Sequence, residues 1–143
     1  MTQSVVSLLL VLMNAFGSTG LAGPAADDVK IDDSRYGQIL VDGHGRTLYL
    51  FTRDRGGKSR CYGDCARAWP PLLAHGQQVA GSGLEQAKLD TGPRRDGASQ
   101  VTYAGHPLYY YVNDRKPGQI LCQDVVEFGG TWLVVSRTGR AIR

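Results

Sequence analysis

Two short stretches of the chain carry the same alternation of apolar and polar positions. In the first, Gly45 to Asp54, an extended backbone sends Thr47, Tyr49 and Phe51 one way and Leu48, Leu50 and Thr52 the other. In the second, Gly105 to Asp114, Tyr109 and Tyr111 share a face and Leu108, Tyr110 and Val112 share the opposite one. The offset is 60 throughout: Gly45 matches Gly105, Leu48 matches Leu108, Tyr49 matches Tyr109, Phe51 matches Tyr111 and Asp54 matches Asp114. A spacing held over ten residues, with aromatics and a carboxylate at fixed places, marks an internal repeat.

Each stretch follows a shorter apolar run and a glycine-bearing turn. Ile39-Leu40-Val41 leads into Asp42-Gly43-His44-Gly45, and Val101-Thr102-Tyr103 leads into Ala104-Gly105. Strand, turn, strand predicts a hairpin in each half. Pro107 has no N–H to give to a ladder and places the start of its strand at an edge or a non-bonded position. Thr131 to Ser136 has the strongest β-propensity of the chain. Its near-continuous apolar character predicts burial on both faces or against the second hairpin. Cys61 to Trp69 reads as a helical turn, residues 84–89 as one helical turn or a short strand, and Lys116-Pro117-Gly118 as a turn. Trp69 and Leu72 are expected to pack over the sheet while the chain runs along the surface, because Pro70-Pro71 rules out a central strand or a helix interior. There is no heptad pattern and no long amphipathic helix. The fold class is therefore mostly β, a single domain of two related β-hairpin-based halves with little helix. Repeat one spans about 36–73 and repeat two about 99–136, within a β domain of 36–143. Residues 27–35 are polar and acidic and read as a flexible lead-in.

The motif Y-x-[FWY]-x-x-D thus occurs twice, as Tyr49 to Asp54 and Tyr109 to Asp114. Between the copies lies Cys61-Tyr62-Gly63-Asp64-Cys65-Ala66-Arg67-Ala68-Trp69-Pro70-Pro71-Leu72, and after the second lies Gly129-Gly130-Thr131-Trp132-Leu133-Val134-Val135. This ordered set, over about residues 36–139, resembles a bacterial secreted-repeat family of predicted lipoproteins. The resemblance implies a compartment and a class of fold and carries no activity.

Composition narrows the picture further. A length of 143 residues is that of one domain. The net charge of +3 is modest. Basic residues are scattered except at Arg94-Arg95 and Arg137 to Arg143, and no basic helix or nucleic-acid fold signature accompanies them, so nucleic acid is not an expected partner. Residues 1–26 carry no Asp, Glu, Lys or Arg. Val5 to Phe16 is apolar but too short for a membrane span, and small residues follow through Ala26. Residues 1–26 read as a signal peptide, with cleavage near Ala22 or Ala26, although no Lys or Arg stands before the apolar run. Leu21-Ala22-Gly23 resembles the start of a lipoprotein processing box, but Pro24 stands where the lipidated cysteine would be. The expectation is a secreted, unlipidated protein of the cell envelope with no stable transmembrane span.

The candidate binding residues are the motif positions Tyr49, Phe51, Asp54, Tyr109, Tyr111 and Asp114. Two readings of the carboxylates stand side by side. In one, Asp54 and Asp114 close the turns that follow their strands through Asx-type bonds. In the other, tyrosine and aspartate form a phenol–carboxylate pair at the mouth of a groove, ready for a cation or polar ligand. Five residues apart, they fall on opposite faces of an uninterrupted strand, so contact within one motif requires a turn or bulge. A buried carboxylate held by charged hydrogen bonds is a third arrangement, which a large stability loss in asparagine variants would reveal.

Cys61 and Cys65 have C-x3-C spacing, not that of common zinc modules. A local disulfide between them is the expected pairing in an exported protein. It closes a small loop, with a stabilisation of about 2 kcal/mol or less. The alternative joins Cys61 or Cys65 to Cys122 and staples the halves; otherwise Cys122 is a free thiol. His44, His75 and His106 form no H-x-H or H-x3-H pair. No catalytic residue is nominated: nucleophile elbow, phosphate loop and carboxylate pair at catalytic spacing are all missing. The leading function is a non-enzymatic extracytoplasmic binding or structural module whose partner is an unidentified ligand or envelope protein. No cofactor is predicted. The alternative is a redox or metal/haem-binding electron-transfer accessory that uses His44 or His106 with a cysteine.

Overall fold

The computed structural model describes residues 29–143. Three small antiparallel sheets are formed by β1 (Val29–Ser34), β2 (Gly37–Asp42), β3 (Tyr49–Phe51), β4 (Leu89–Pro93), β5 (Ser99–Tyr103), β6 (His106–Pro107), β7 (Val125–Glu127) and β8 (Gly130–Val134). Their orders are β1-β2, β3-β8-β7 and β4-β5-β6. The helical content is small: α1 (Asp64–Ala68) and a 3-10 turn at Gln86–Lys88. The domain is mostly β, as the alternation predicts.

The halves follow one plan. In the first, β1 pairs with β2, and β2 returns through a turn to the segment leading into β3, where Val41 bridges Thr47. In the second, β4 pairs with β5, and β5 with β6. Leu48 N donates to Leu40 O at 3.1 Å, and Leu108 N to Val101 O at 3.0 Å. The second turn needs only two residues, Ala104 and Gly105, with φ of 50° and 80°. Two successive positive φ values match the right-handed twist of a tight hairpin, which Gly105 accepts freely and Ala104 only under constraint.

The segment that ends each repeat pairs with the other repeat. After Trp69, Pro71 bridges Tyr109 and Leu73 bridges Gln100. After Gly130, Val134 pairs with Tyr49 and Ser136 bridges Ile39. The exchange is reciprocal bond for bond. Leu40 N donates to Val135 O at 2.8 Å and Val101 N to Leu72 O at 2.8 Å. Thr52 N donates to Thr131 O, and Val112 N to Ala68 O, both at 3.0 Å. Residues 131–136 are thus buried on both faces but lie along the first hairpin, not the second. A fully apolar strand carries no mark of which neighbour it takes.

β1 is the main departure from the sequence reading. Residues 29–34, expected to belong to a flexible lead-in, form a full strand against β2. Only Val29 is buried there, so the segment lacks the repeated apolar face by which a strand announces itself. Of the expected leader, residues 1–26 lie outside the described residues.

Because side chains alternate and both faces are covered, the core has two layers. Leu48, Leu50, Leu72, Leu108, Leu133 and Val135 belong to one. Tyr49, Phe51, Trp69, Tyr109, Trp132 and Val134 belong to the other. Leu48 and Leu108 are both fully buried at matching positions, and truncating a buried leucine typically costs about 2–5 kcal/mol. Leu48→Ala and Leu108→Ala should therefore each lose stability in that range by denaturant unfolding. A large loss in one variant and almost none in the other would contradict the equivalence of the halves.

Candidate functional site

The motif residues come together at the seam between the repeats. Tyr49 and Tyr109 exchange backbone bonds, Tyr49 N to Tyr109 O at 2.8 Å and Tyr109 N to Tyr49 O at 3.0 Å. Their side chains then cross. The Tyr49 hydroxyl donates to Asp114 Oδ2 at 2.5 Å, and the Tyr109 hydroxyl donates to Asp54 Oδ2 at 2.8 Å. Each tyrosine therefore meets the carboxylate of the other copy. The phenol–carboxylate pair exists, but no bulge within one motif is needed to make it.

The second carboxylate oxygen closes the loop that follows. Asp54 Oδ1 accepts from Arg60 N at 2.8 Å, and Asp114 Oδ1 accepts from Leu121 N at 3.0 Å. The turn reading and the pair reading describe two oxygens of one group. Asp114 is buried and Asp54 half-buried. Burial is the foremost influence on the aspartates: it raises Asp114 above the ordinary carboxylate range and pushes Asp54 up to about 6. Backbone and tyrosine hydrogen bonds and the positive charges of Arg94 and Arg60 resist the rise at Asp54. Burial, followed by the carboxylate beside it, raises Tyr49 and Tyr109 far above the ordinary phenol range.

The rings obey the same pseudo-twofold. Trp69 and Trp132 stack at 4.1 Å and 4°. Phe51 stacks on the outer face of that pair against Trp132 at 4.1 Å, and Tyr111 lies against Trp69 at 4.8 Å. Tyr49 meets Trp69 edge-on at 5.2 Å, and Tyr109 meets Trp132 edge-on at 5.1 Å. The rings thus meet as near-parallel stacks and as edge contacts, the latter a favoured aromatic geometry. Trp69 Nε1 donates to Glu127 Oε2 at 2.8 Å, whereas Trp132 Nε1 has no partner among the described residues. Tyr49, Phe51, Tyr109 and Asp114 are buried, and Tyr111 and Asp54 are half-buried.

Cys61 and Cys65 form a disulfide, and Cys122 is a free, half-buried cysteine. Cys122 occupies the place in the second repeat that Cys61 holds in the first, without a second cysteine near it in sequence. Its side chain engages the Tyr111 hydroxyl, which raises that phenol above its ordinary value. Among the described residues, no three His, Cys, Asp or Glu side chains gather in a metal-holding group. The placement of His44, His75, His106 and Cys122 gives the redox alternative no support.

Sequence reasoning passed over a basic cluster on the loop after the first motif. Arg53, Arg55, Lys58, Arg60, Arg95 and Tyr62 line an opening of about 350 Å³. The signal was the spacing Arg53-x-Arg55 and Lys58-x-Arg60 about Gly56-Gly57, where period-2 spacing on two arms of a tight turn projects charges to one side. The residues between them turn inward: Asp54 reaches Tyr109, and Ser59 Oγ lies 2.7 Å from the Tyr109 hydroxyl. Buried Arg94 fixes this inner layer, donating to Ser59 Oγ, Gln100 Oε1 and Cys61 O. Ser59, Tyr109 and Asp54 form a chain that resembles a proton relay. Burial and the neighbouring carboxylate raise the phenol of its middle member well above the ordinary range, so Tyr109 holds its proton at neutral pH and donates it to Asp54.

A family model described as a secreted repeat of unknown function matches residues 30–73 and 91–136. The chain belongs to that family. The two matches to the secreted-repeat family begin within β1 and β4 and end on the exchanged segments. No curated protein and no solved structure matches the chain. No helix among the described residues is long and apolar enough to cross a membrane.

Two predictions follow from the crossed pairs. Asparagine offers one acceptor oxygen where Asp114 offers two to buried donors, so Asp114→Asn should cost about 1–3 kcal/mol. A double-mutant cycle with Tyr49→Phe should return a coupling of about 0.5–3 kcal/mol. Additive losses would sink the pairing. The second concerns pH. Asp54 binds its proton more tightly folded, at about 6, than at its ordinary 3.8. The stabilisation from that proton is fully present below about 3.8 and is lost as pH rises through about 6. The stability of the native sequence relative to Asp54→Asn should fall between pH 4 and 7 in denaturant titrations, and a rise over that window would refute the assignment.

Proposed function

We propose that this secreted-repeat protein is a non-enzymatic binding or structural module of the bacterial cell envelope. The observation that carries the reading is the division of roles along one motif. Its phenols and carboxylates are occupied with one another at the seam, which suits them to holding the halves together. The open cavity beside the seam carries cations and a phenol ring, which suits it to contact with a partner. The buried phenol of the Ser59–Tyr109–Asp54 chain holds its proton, which argues against a serine nucleophile activated through it.

The compartment reading rests on the family description and on the leader pattern of residues 1–26. Pro24, where a lipobox would need cysteine, favours a protein released or held by contacts rather than by a lipid. Extracytoplasmic placement also accords with the Cys61–Cys65 disulfide, since such bonds persist in oxidising compartments.

Fractionation of native cells, with mass spectrometry of the N-terminus, tests this. The expected result is a mature chain outside the cytoplasm that begins between residues 23 and 27 without an acyl group. A cytoplasmic chain retaining Met1, or an acyl-modified N-terminus, would overturn the reading.

A further inference from the structure

The basic opening has a more specific chemistry than a charged surface. Arg55 and Lys58 are joined by a tight turn through Gly56 and Gly57, both at positive φ, 58° and 72°. Lys58 N donates to Arg55 O at 3.0 Å, and Arg55 N to Lys58 O at 3.4 Å. A pair that exchanges both backbone bonds holds its side chains opposite one another on one face, where like charges repel. The turn is also seated firmly. Gly57 O lies so close to Gly92 that a Cβ there would stand 2.5 Å from it, so the loop rests on β4 without room between.

Around this pair stand Arg53, Arg60 and Arg95. None of the five cations forms an ion pair within 4.0 Å with a carboxylate among the described residues. Arg53 and Arg55 are braced by backbone carbonyls, Arg53 Nη1 donating to Phe128 O and Arg55 Nη1 to Thr52 O and Asp54 O. Arg95 lies over the Tyr62 ring at 4.1 Å. Asp54, between Arg53 and Arg55, has both oxygens engaged, by Tyr109 and by the Arg60 backbone, and Asp96, next to Arg95, is paired with Arg94. The corresponding loop of the second repeat does not repeat this. Gln119 Oε1 caps the backbone of Arg115 and Lys116 there, and Pro117 stands where the first repeat has Gly57.

We infer that this opening binds a tetrahedral oxyanion of the phosphate type, borne on a small phosphate ester or on a phospholipid headgroup. Guanidinium groups match such oxygens with paired N–H donors, and lysine adds a point charge. An anion also relieves the repulsion that the Arg55–Lys58 pairing imposes. The inference deepens the binding reading by naming the ligand's chemistry and rests on it only for the compartment. A protein found in the cytoplasm would therefore remove the envelope reading and leave the anion site standing.

The test uses the purified protein at low ionic strength with pyrophosphate as the probe, followed by calorimetry and by NMR of backbone amides. Saturable binding is expected, with shifts centred on residues 53–62. Lys58→Gln with Arg60→Gln should weaken it at least about tenfold, given the strength of charge-assisted bonds. The charge-matched pair Arg115→Gln with Lys116→Gln should change it by no more than about twofold, as expected of distant charges screened by salt. Equal losses in the two pairs, shifts centred elsewhere, or no saturable binding would overturn the site. If the first pair fails to fold, the shift map of the native protein alone decides. Vesicles of phosphatidylglycerol and of phosphatidylcholine distinguish the sources. Capture by the former only, lost with Lys58 and Arg60, assigns a headgroup, while pyrophosphate binding without capture assigns a soluble ester.

Discussion

Two backbone hydrogen bonds between Tyr49 and Tyr109 set the terms for the rest of the molecule. Once these residues face each other antiparallel, each side chain extends toward the far end of the opposite motif. The phenols then land on Asp114 and Asp54 rather than on the carboxylates of their own copies. The five-residue spacing that forbids contact within a straight motif becomes the spacing that permits it between motifs. Each aspartate spends its other oxygen on the loop that follows, so the seam and both loops are ordered together. A buried carboxylate is expensive to desolvate and remains only where donors compensate it. Here the two donors come from the opposite repeat and from the local backbone.

The exchange of end segments gives this seam its reach. Trp69 arrives on the segment that closes the first repeat and Trp132 on the one that closes the second, and they stack face to face. Phe51 and Tyr111, equivalent in the motif, extend the stack on either side. Neither half could bury its aromatic layer alone, because half of each layer is carried by the other repeat. This accounts for a chain with little helix and strands as short as two or three residues that nonetheless forms a continuous core. The disulfide supports only the first repeat, where it ties Cys65 in α1 to Cys61 in the loop that leads into the helix. The second repeat has β7 and the Glu127 bond to Trp69 in that region instead.

Much of the fold was legible because the two buried faces differ in kind, one largely aliphatic and one largely aromatic, and that alternation survives in the sequence. The repeat, the hairpins, the inward leucines and the paired tryptophans all follow from period-2 patterning. What escaped has physical reasons. β1 presents mostly charged residues to solvent and pairs through its backbone, which sequence pattern does not record. The sequence marks burial of β8 on both faces but not its partner, because an apolar strand fits either hairpin; the choice is made by the reciprocal exchange, a property of the whole chain. The crossing of the tyrosine–aspartate pairs was hidden for a similar reason. Identical motifs make pairing within a copy and between copies equal in sequence, and only the Tyr49–Tyr109 register separates them. The basic cluster was obscured by a modest net charge, which averages over the chain what one turn concentrates.

Symmetry holds in this protein at the seam, in the crossed pairs and the stacked rings, and fails on the loops that meet solvent, and that difference separates scaffold from surface. Residues 53–60 carry both roles in alternation. Asp54 and Ser59 face inward to Tyr109, while Arg53, Arg55, Lys58 and Arg60 face the opening. The second repeat keeps the inward carboxylate, with Asp114 on Tyr49, and keeps Arg115 as the counterpart of Arg55, but it has Asn113 and Gly118 where the first has Arg53 and Lys58. A purely structural loop would have had no reason to gather four cations on a turn whose geometry sets two of them against each other. Packing demands the inward carboxylate in both copies. The full outward cluster is assembled in one copy alone, at a cost in repulsion, and a cost that packing does not explain points to contact with something of opposite charge.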